Sequence, residues 1–393
     1  MTTTKSATKT SRKLDLSRYE YERVASLLLE SSSRLEDEAL ENRLLEMCAQ
    51  SLNAGDDTEL EAALSLLKDN RPPAYEQLLA IAEDCAQSVV DHEGAALLML
   101  IPVMAWSRYR NFTGVIEAEV LEEIAGSVQK HLCGAKSEVV IGNVMFSAEN
   151  IPESLTDVRS LLNRLRTSAD KVVDIRSIVT KPPVADFADT RYLACLVKAK
   201  KASELFRDPM ENLPERARGQ MEFCLDAHDL LEMTMIGSVF EVQPACAFFT
   251  AWRQSEAAMR VWTVKSLVEF VTTMGHDPKS VIASIALFVP GGTASEDAMP
   301  ELRLGVCPVN DQKRVVAGIA WPVMPEEYEQ AEAMAHDVLL TKGVDRIVMH
   351  PQSFPLEWCE DCGAPLYANV EGMVVHVDFG DDDKGKELPP TLN

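Results

Sequence analysis

Apolar residues recur at helical spacing through the first third of the chain. Ser17-Arg-Tyr-Glu20 and Thr58-Glu-Leu-Glu61 each set a hydroxyl three residues before a glutamate, the capping box that opens a helix. Behind the first, Tyr21, Val24, Leu27 and Leu28 share one face; behind the second, Leu60, Ala63, Leu64 and Leu67 do. Pro72-Pro73 starts a further helix carrying Leu78, Leu79, Ala82, Cys85 and Val89. The unbroken apolar run Ala95–Trp106 reads as a buried helix kinked at Pro102, and Ile116–Leu132 as another that Gly134 terminates. About six helices joined by short connections predict an all-helical N-terminal bundle over residues 14–134.

After Gly134 the period changes. Strands are expected at Val139–Phe146, Arg191–Val197, Val242–Thr250, Ile282–Val289, Leu302–Val306, Val315–Trp321 and Arg346–His350. Helices are expected at Leu155–Leu165, Glu256–Met274 and Pro325–Leu340. These repeated strand–helix–strand modules predict an α+β domain with a mixed sheet over residues 135–350. Residues 351–379 form a C-terminal element of their own. The basic segment 1–13 and the acidic segment 380–393 lack the apolar residues a core requires and read as disordered tails. Asp208–Gly219 reads as an internal loop, and Arg159, Asn163 and Arg166 as a solvated helix face.

Charge narrows the function. A net charge of -24 over 393 residues opposes broad binding to a nucleic-acid backbone or to anionic lipid. Trp106-Ser-Arg108-Tyr-Arg110 is the densest mixture of aromatic and basic residues. It reads as a helix C-terminus whose arginines complement the dipole, with base stacking as the competing reading. The longest apolar run falls short of the roughly 20 residues a membrane-spanning helix needs, and no apolar segment follows MTTTKSATKTSRK to make a secretory signal. Cysteines such as Cys48, Cys85 and Cys195 lie in apolar segments, as reduced core residues do. A cytoplasmic protein is the expectation.

One local spacing carries specific chemistry. In Cys359-Glu360-Asp361-Cys362-Gly363, two thiolates three positions apart can share one metal from a tight turn. Redox use of this CxxC is disfavoured, because Gly363-Ala364-Pro365 opposes the helix that would lower a thiol pKa, and Glu360 and Asp361 oppose thiolates. Zinc needs further ligands, and no second CxxC supplies them; without them the motif is a metal-free turn. His350, nine residues before Cys359, and His376, fourteen after Cys362, are the first candidates, followed by Cys307 and Cys246. Four protein ligands would make a structural site, whereas three with an opening to water would support catalysis.

Other constellations are weaker. The pairs His228-Asp229, His276-Asp277 and His336-Asp337 are sequence neighbours that point to different helix faces and read as surface or capping residues. Pro290-Gly-Gly-Thr293 lacks the Lys-Ser/Thr ending of a phosphate loop. GxSxG, HExxH, Walker and dinucleotide fingerprints are absent from the sequence.

Three segments carry a resemblance: Ala105-Trp-Ser-Arg-Tyr109, Gly318-Ile-Ala-Trp-Pro322, and Cys362-Gly-Ala-Pro-Leu-Tyr367 with Glu371-Gly372 and His376. Taken in order over nearly the whole length, the chain resembles an uncharacterised, mainly beta-proteobacterial family known only as a domain of unknown function. It departs from that pattern at Asn369-Val370-Glu371, where a proline would follow the asparagine, and this loosens the turn behind the CxxC. The resemblance implies a bacterial cytosolic protein of unassigned activity and brings no catalytic residues with it. The expected function is a non-catalytic interaction or regulatory protein, its protein partner unidentified, with a structural zinc knuckle. The alternative is a zinc-dependent enzyme with its site between the helical and α+β domains.

Overall fold

The computed structural model describes residues 19–107, 111–179, 181, 187–207, 213–291, 299–324 and 327–378. Both predicted tails, Arg108, Arg110 and Gly292-Thr293 lie outside them. The described chain begins with four helices: α1 (residues 19–30), α2 (Arg34–Ala54), α3 (Thr58–Asn70) and α4 (Pro72–Gln87). A first sheet is then built from β1 (Ser88–Asp91), β2 (Gly94–Ser107), β3 (Gly114–Val115), β4 (Glu138–Phe146), β5 (Val172–Val173), β6 (Ala188–Ala199), β7 (Ser238–Val242) and β8 (Cys246–Ala247). Helices α5 (Ala118–His131), α6 (Leu155–Arg166) and α7 (Leu213–Leu231) are threaded between these strands.

The long helix α8 (Phe248–Thr273) leads to a second sheet of β9 (Val281–Val289), β10 (Glu301–Pro308), β11 (Ala317–Pro322), β12 (Ile347–Met349) and β13 (Phe354–Pro355), with α9 (Tyr328–Thr341) between β11 and β12. A two-stranded pair, β14 (Tyr367–Ala368) and β15 (Val374–Val375), completes the described chain. The class is α+β, and the sheets mix parallel and antiparallel pairs.

The all-helical reading of residues 14–134 is corrected at its centre. Ala95–Trp106 is not a kinked helix but most of β2, paired with β6 from Ala95↔Ala199 to Trp106↔Ala188. Both faces of this strand are covered, which hides the alternation. Ala96, Leu98 and Leu100 pack against α1–α4 and α6, while Ala95, Met99, Ile101 and Val103 pack against α5 and α7. A strand buried on both faces reads as a continuous apolar run. Pro102 is tolerated because its carbonyl accepts from Gln243 N at 2.8 Å, in the gap between β7 and β8. The missing N–H falls on that interrupted edge, so no bond to β6 is lost.

Three smaller readings change as well. Leu213–Gly219 is the start of α7, so only residues 208–212 of the proposed loop lie outside the described elements. Val242–Thr250 splits into the end of β7, the short β8 and the first turn of α8. Arg159 is buried, not solvated. It donates to Asn53 Oδ1, Cys85 O and Ser88 O, tying α6 to α2 and α4.

The second sheet has two unlike faces. Val281, Ala283, Ile285, Leu302, Leu304, Val306, Ile319 and Trp321 point toward α8 and α9. Most of the alternate positions are small or polar (Ser284, Ala286, Arg303, Gly305, Cys307 and Gly318), with Ile282 and Phe288 the large apolar residues among them. That face is covered by residues 351–378, hereafter the lap, through two small clusters. Phe354, Leu356 and Ala368 meet Ala286 and Phe288, and Tyr367 and Val377 meet Cys307 and Val315.

Candidate metal centre

The knuckle is a hydrogen-bonded turn at the outer end of the lap. Cys359 N donates to Ala364 O and Gly363 N to Cys359 O, both at 2.8 Å, and Trp358 bridges to Pro365 below them. Gly363 has φ +69°, a left-handed conformation that glycine adopts without steric cost and that closes the turn after the second cysteine. His376 arrives from the other side. Its neighbour Val375 pairs with Tyr367, and Val377 bridges to Val315 at the edge of the second sheet. Pairing on both flanks leaves the imidazole little freedom of position.

The ligand atoms of Cys359, Cys362 and His376 lie within 4.8 Å of one another, and Cys362 Sγ is 3.1 Å from His376 Nε2. Zinc–sulfur and zinc–nitrogen bonds of ordinary length place tetrahedral donors about 3.6–3.8 Å apart, so the cluster is near metal-binding dimensions. His376 Nδ1 lies 2.6 Å from Val377 O, an acceptor only, so Nδ1 carries the proton and Nε2 presents its lone pair to the sulfurs. Ligating histidines are commonly held this way. Burial pushes the Cys362 thiol up, reinforced by Cys359 and Asp361, while the Ala364 N–H acts in the opposite direction. An arriving cation therefore has to displace a proton, which couples binding to pH. All three residues are half-buried, and among the described residues no fourth His, Cys, Asp or Glu joins them.

Of the candidates read from the sequence, the structure brings His376 to the cysteines and leaves His350 outside the cluster. His350 is buried, with Nε2 3.0 Å from both Ser284 Oγ and Asn369 O. The carbonyl accepts only, so Nε2 is the protonated nitrogen and cannot act as a base toward the Ser284 hydroxyl. The pair is a lock beneath the lap, not a nucleophile and its base. Cys307 is buried under Tyr367, and burial pushes its thiol up to about 11. Cys246 lies in β8 of the first sheet. The turn at Asn369 is well tied despite the missing proline, because Asn369 Oδ1 accepts from Glu371 N and Met373 N and Nδ2 donates to Lys313 O.

The remaining constellations stay apart. Trp106 is buried, donates from Nε1 to Gly318 O at 3.2 Å and packs edge-on against Phe270, so its ring stacks no base. His228 lies against Phe240, Asp277 caps a short turn through Lys279 N, and His336 is exposed beside Asp337.

What sequence reasoning missed is the junction beside the knuckle. Gly318 faces Gly305 across β10 and β11, and a Cβ on Gly318 would come within 2.5 Å of the Tyr367 ring. Trp106 of the first sheet, Gly318 of the second and Tyr367 of the lap therefore meet at one point. Ser107, Phe187, Gly318, Ala364, Pro365, Tyr367 and Val377 line a cavity of about 20 Å³ there, room for a water and not for a substrate. A much larger cleft, about 840 Å³, opens at the ends of β2 and β6 and is lined by Lys136, Arg166, Lys198, Lys200 and Lys201 together with Glu93, Glu138 and Glu204. None of the three cluster residues lines it.

The chain belongs to the family described as protein of unknown function (DUF2863), whose model matches residues 6–389. No curated protein and no solved structure matches it. No helix among the described residues is long and apolar enough to cross a membrane.

Proposed function

We propose that this member of the DUF2863 family is a non-catalytic interaction or regulatory protein of the bacterial cytoplasm, in which Cys359, Cys362 and His376 hold one zinc ion as a structural clasp. The observation that carries the reading is the convergence of three donors from two separately anchored segments, with the histidine already in the ligating tautomer. Bound there, the ion would tie the knuckle to the segment that follows β15 and so hold the lap over the second sheet. The water-sized cavity beside the site and the locked Ser284–His350 pair speak against chemistry on a substrate there. A strongly acidic chain suits a protein partner better than a nucleic acid or an anionic membrane. Purified protein should carry about one zinc per chain by elemental analysis, and Cys359→Ser with Cys362→Ser should abolish it. Metal-free wild-type protein overturns the reading.

One observation favours the alternative of a zinc-dependent enzyme: three protein donors on a half-buried site leave one coordination position for water. Cobalt-substituted protein separates the two. An open position shifts its visible spectrum when azide or thiocyanate is added; a closed structural site does not respond.

A further inference from the structure

The knuckle rests on a buried cation. Arg303 is on β10, on the face of the second sheet beneath the lap, and its side chain is fully buried. Its cross-strand neighbours are Ala320 and Ala286, with Gly305 two residues along, so the sheet leaves room there for a guanidinium. Nε pairs with Glu301 at 2.7 Å. Nη1 donates to two carbonyls, Glu357 O and Leu366 O, each at 2.7 Å. The carbon of the guanidinium lies 4.4 Å from the centre of the Phe288 ring and 5.4 Å from that of Trp358.

Those two carbonyls are the bases of the two arms of the knuckle. Glu357 precedes Cys359 by two residues and Leu366 follows Cys362 by four. From them the arms rise through the Leu366 N to Glu357 O bond, the Trp358–Pro365 bridge and the Cys359 N to Ala364 O bond to the two sulfurs. A single nitrogen with two N–H groups therefore sets the separation of the arms from below. A buried charge is costly to place in a sheet, and an apolar residue of similar volume would often be as stable. What an apolar residue cannot do is grip two carbonyls at once in a fixed plane.

We propose that Arg303 is the positioning residue of the metal centre: by holding both arms of the knuckle it sets the Cys359–Cys362 geometry before any ion arrives. This inference rests on the zinc reading above. Preorganisation of that kind lowers the ordering cost of binding, and loss of a group supporting first ligands typically weakens metal affinity about 10–100-fold. Lysine keeps the charge but not the planar fork, so Arg303→Lys should lose most of that factor.

The test uses cobalt(II) with the full-length chain, followed by thiolate-to-metal absorption and by competition with a chromophoric chelator. Wild-type protein should bind one equivalent tetrahedrally. Arg303→Lys should bind about 10-fold or more weakly with a distorted visible spectrum. Trp358→Leu, at a partly exposed position, frees one side of the guanidinium and should weaken binding by a smaller factor, about threefold. Should Arg303→Lys fail to fold by circular dichroism, Trp358→Leu decides alone. Wild-type affinity and spectrum in the folded variants overturn the role of Arg303 while leaving the zinc site standing. Failure of the wild-type chain to bind cobalt at all sinks the zinc reading itself.

Discussion

The two sheets of this protein are covered in different ways. The first is sandwiched: α1–α4 and α6 lie on one face, α5 and α7 on the other, and its central strands are apolar on both sides except at the Asp189–Arg191 end of β6. The second has α8 and α9 on one face only. Its other face carries Ser284, Arg303, Gly305 and Gly318 and is closed by a lap whose regular structure amounts to a few short strands. Where apolar burial is abundant, it supplies most of the stability, and buried polar groups such as Arg159 are set into it. Where the covering segment is short, the molecule turns to polar staples: the Arg303 fork, the Asn369 turn, the His350 lock and the cysteine–histidine cluster all sit in or under the lap. The candidate metal ligands lie where the hydrophobic core is thinnest.

This contrast can be broken at three points. Leu98→Ala in β2 removes a fully buried side chain between two layers and should cost about 2–5 kcal/mol in global unfolding by denaturant. Gly318→Ala drives a methyl group toward the Tyr367 ring and should cost about 1–3 kcal/mol. Its signature in hydrogen exchange is lost protection over residues 351–378 with the first sheet unchanged; uniform loss throughout would show that the lap is not a separable layer.

The smallest effect concerns acid. The Arg166 guanidinium holds the Asp91 carboxyl at about 2, below the usual carboxylate value near 3.9. A depressed native pKa contributes stability above that unfolded value and loses it as pH falls through about 2. Asp91→Asn should flatten that part of the acid-unfolding profile at the edge of the first sheet. The pair is half-exposed, so the change stays below those of Leu98→Ala and Gly318→Ala.

Legibility from sequence followed the same division. Helices with one apolar face, such as α3 and α6, were readable because their periodicity reflects a single buried side, although the cap at Thr58 does not form and only α6 is capped, by Ser154. β2 was not, since burial of both faces erases the alternation that distinguishes a strand from a buried helix. α7 was obscured by Pro214 and Gly219, although Pro214 sits in its first turn and Gly219 lies where a Cβ would meet His131 O at 2.7 Å. Phe223, Ala227 and Leu231, all fully buried, gave the period that its charged start concealed. At the knuckle, the spacing of Cys359 and Cys362 was visible, but nothing local distinguished His376 from His350. That choice is made by β15 and by the bridge from Val377 to Val315, contacts between segments far apart in sequence.

The bond from Trp106 Nε1 to Gly318 O joins residues 212 positions apart, and the Tyr367 ring that covers the same glycine is made later still. During synthesis the face of β10 and β11 must therefore wait, uncovered, for the lap to emerge. Loop closures of this span are slow to form, and nascent chains with bare sheet surface are prone to capture by chaperones or by one another. Serine, alanine, glycine and one arginine dilute the apolar surface there to Phe288, Ile282 and Cys307, which makes the face a poorer adhesive while it waits.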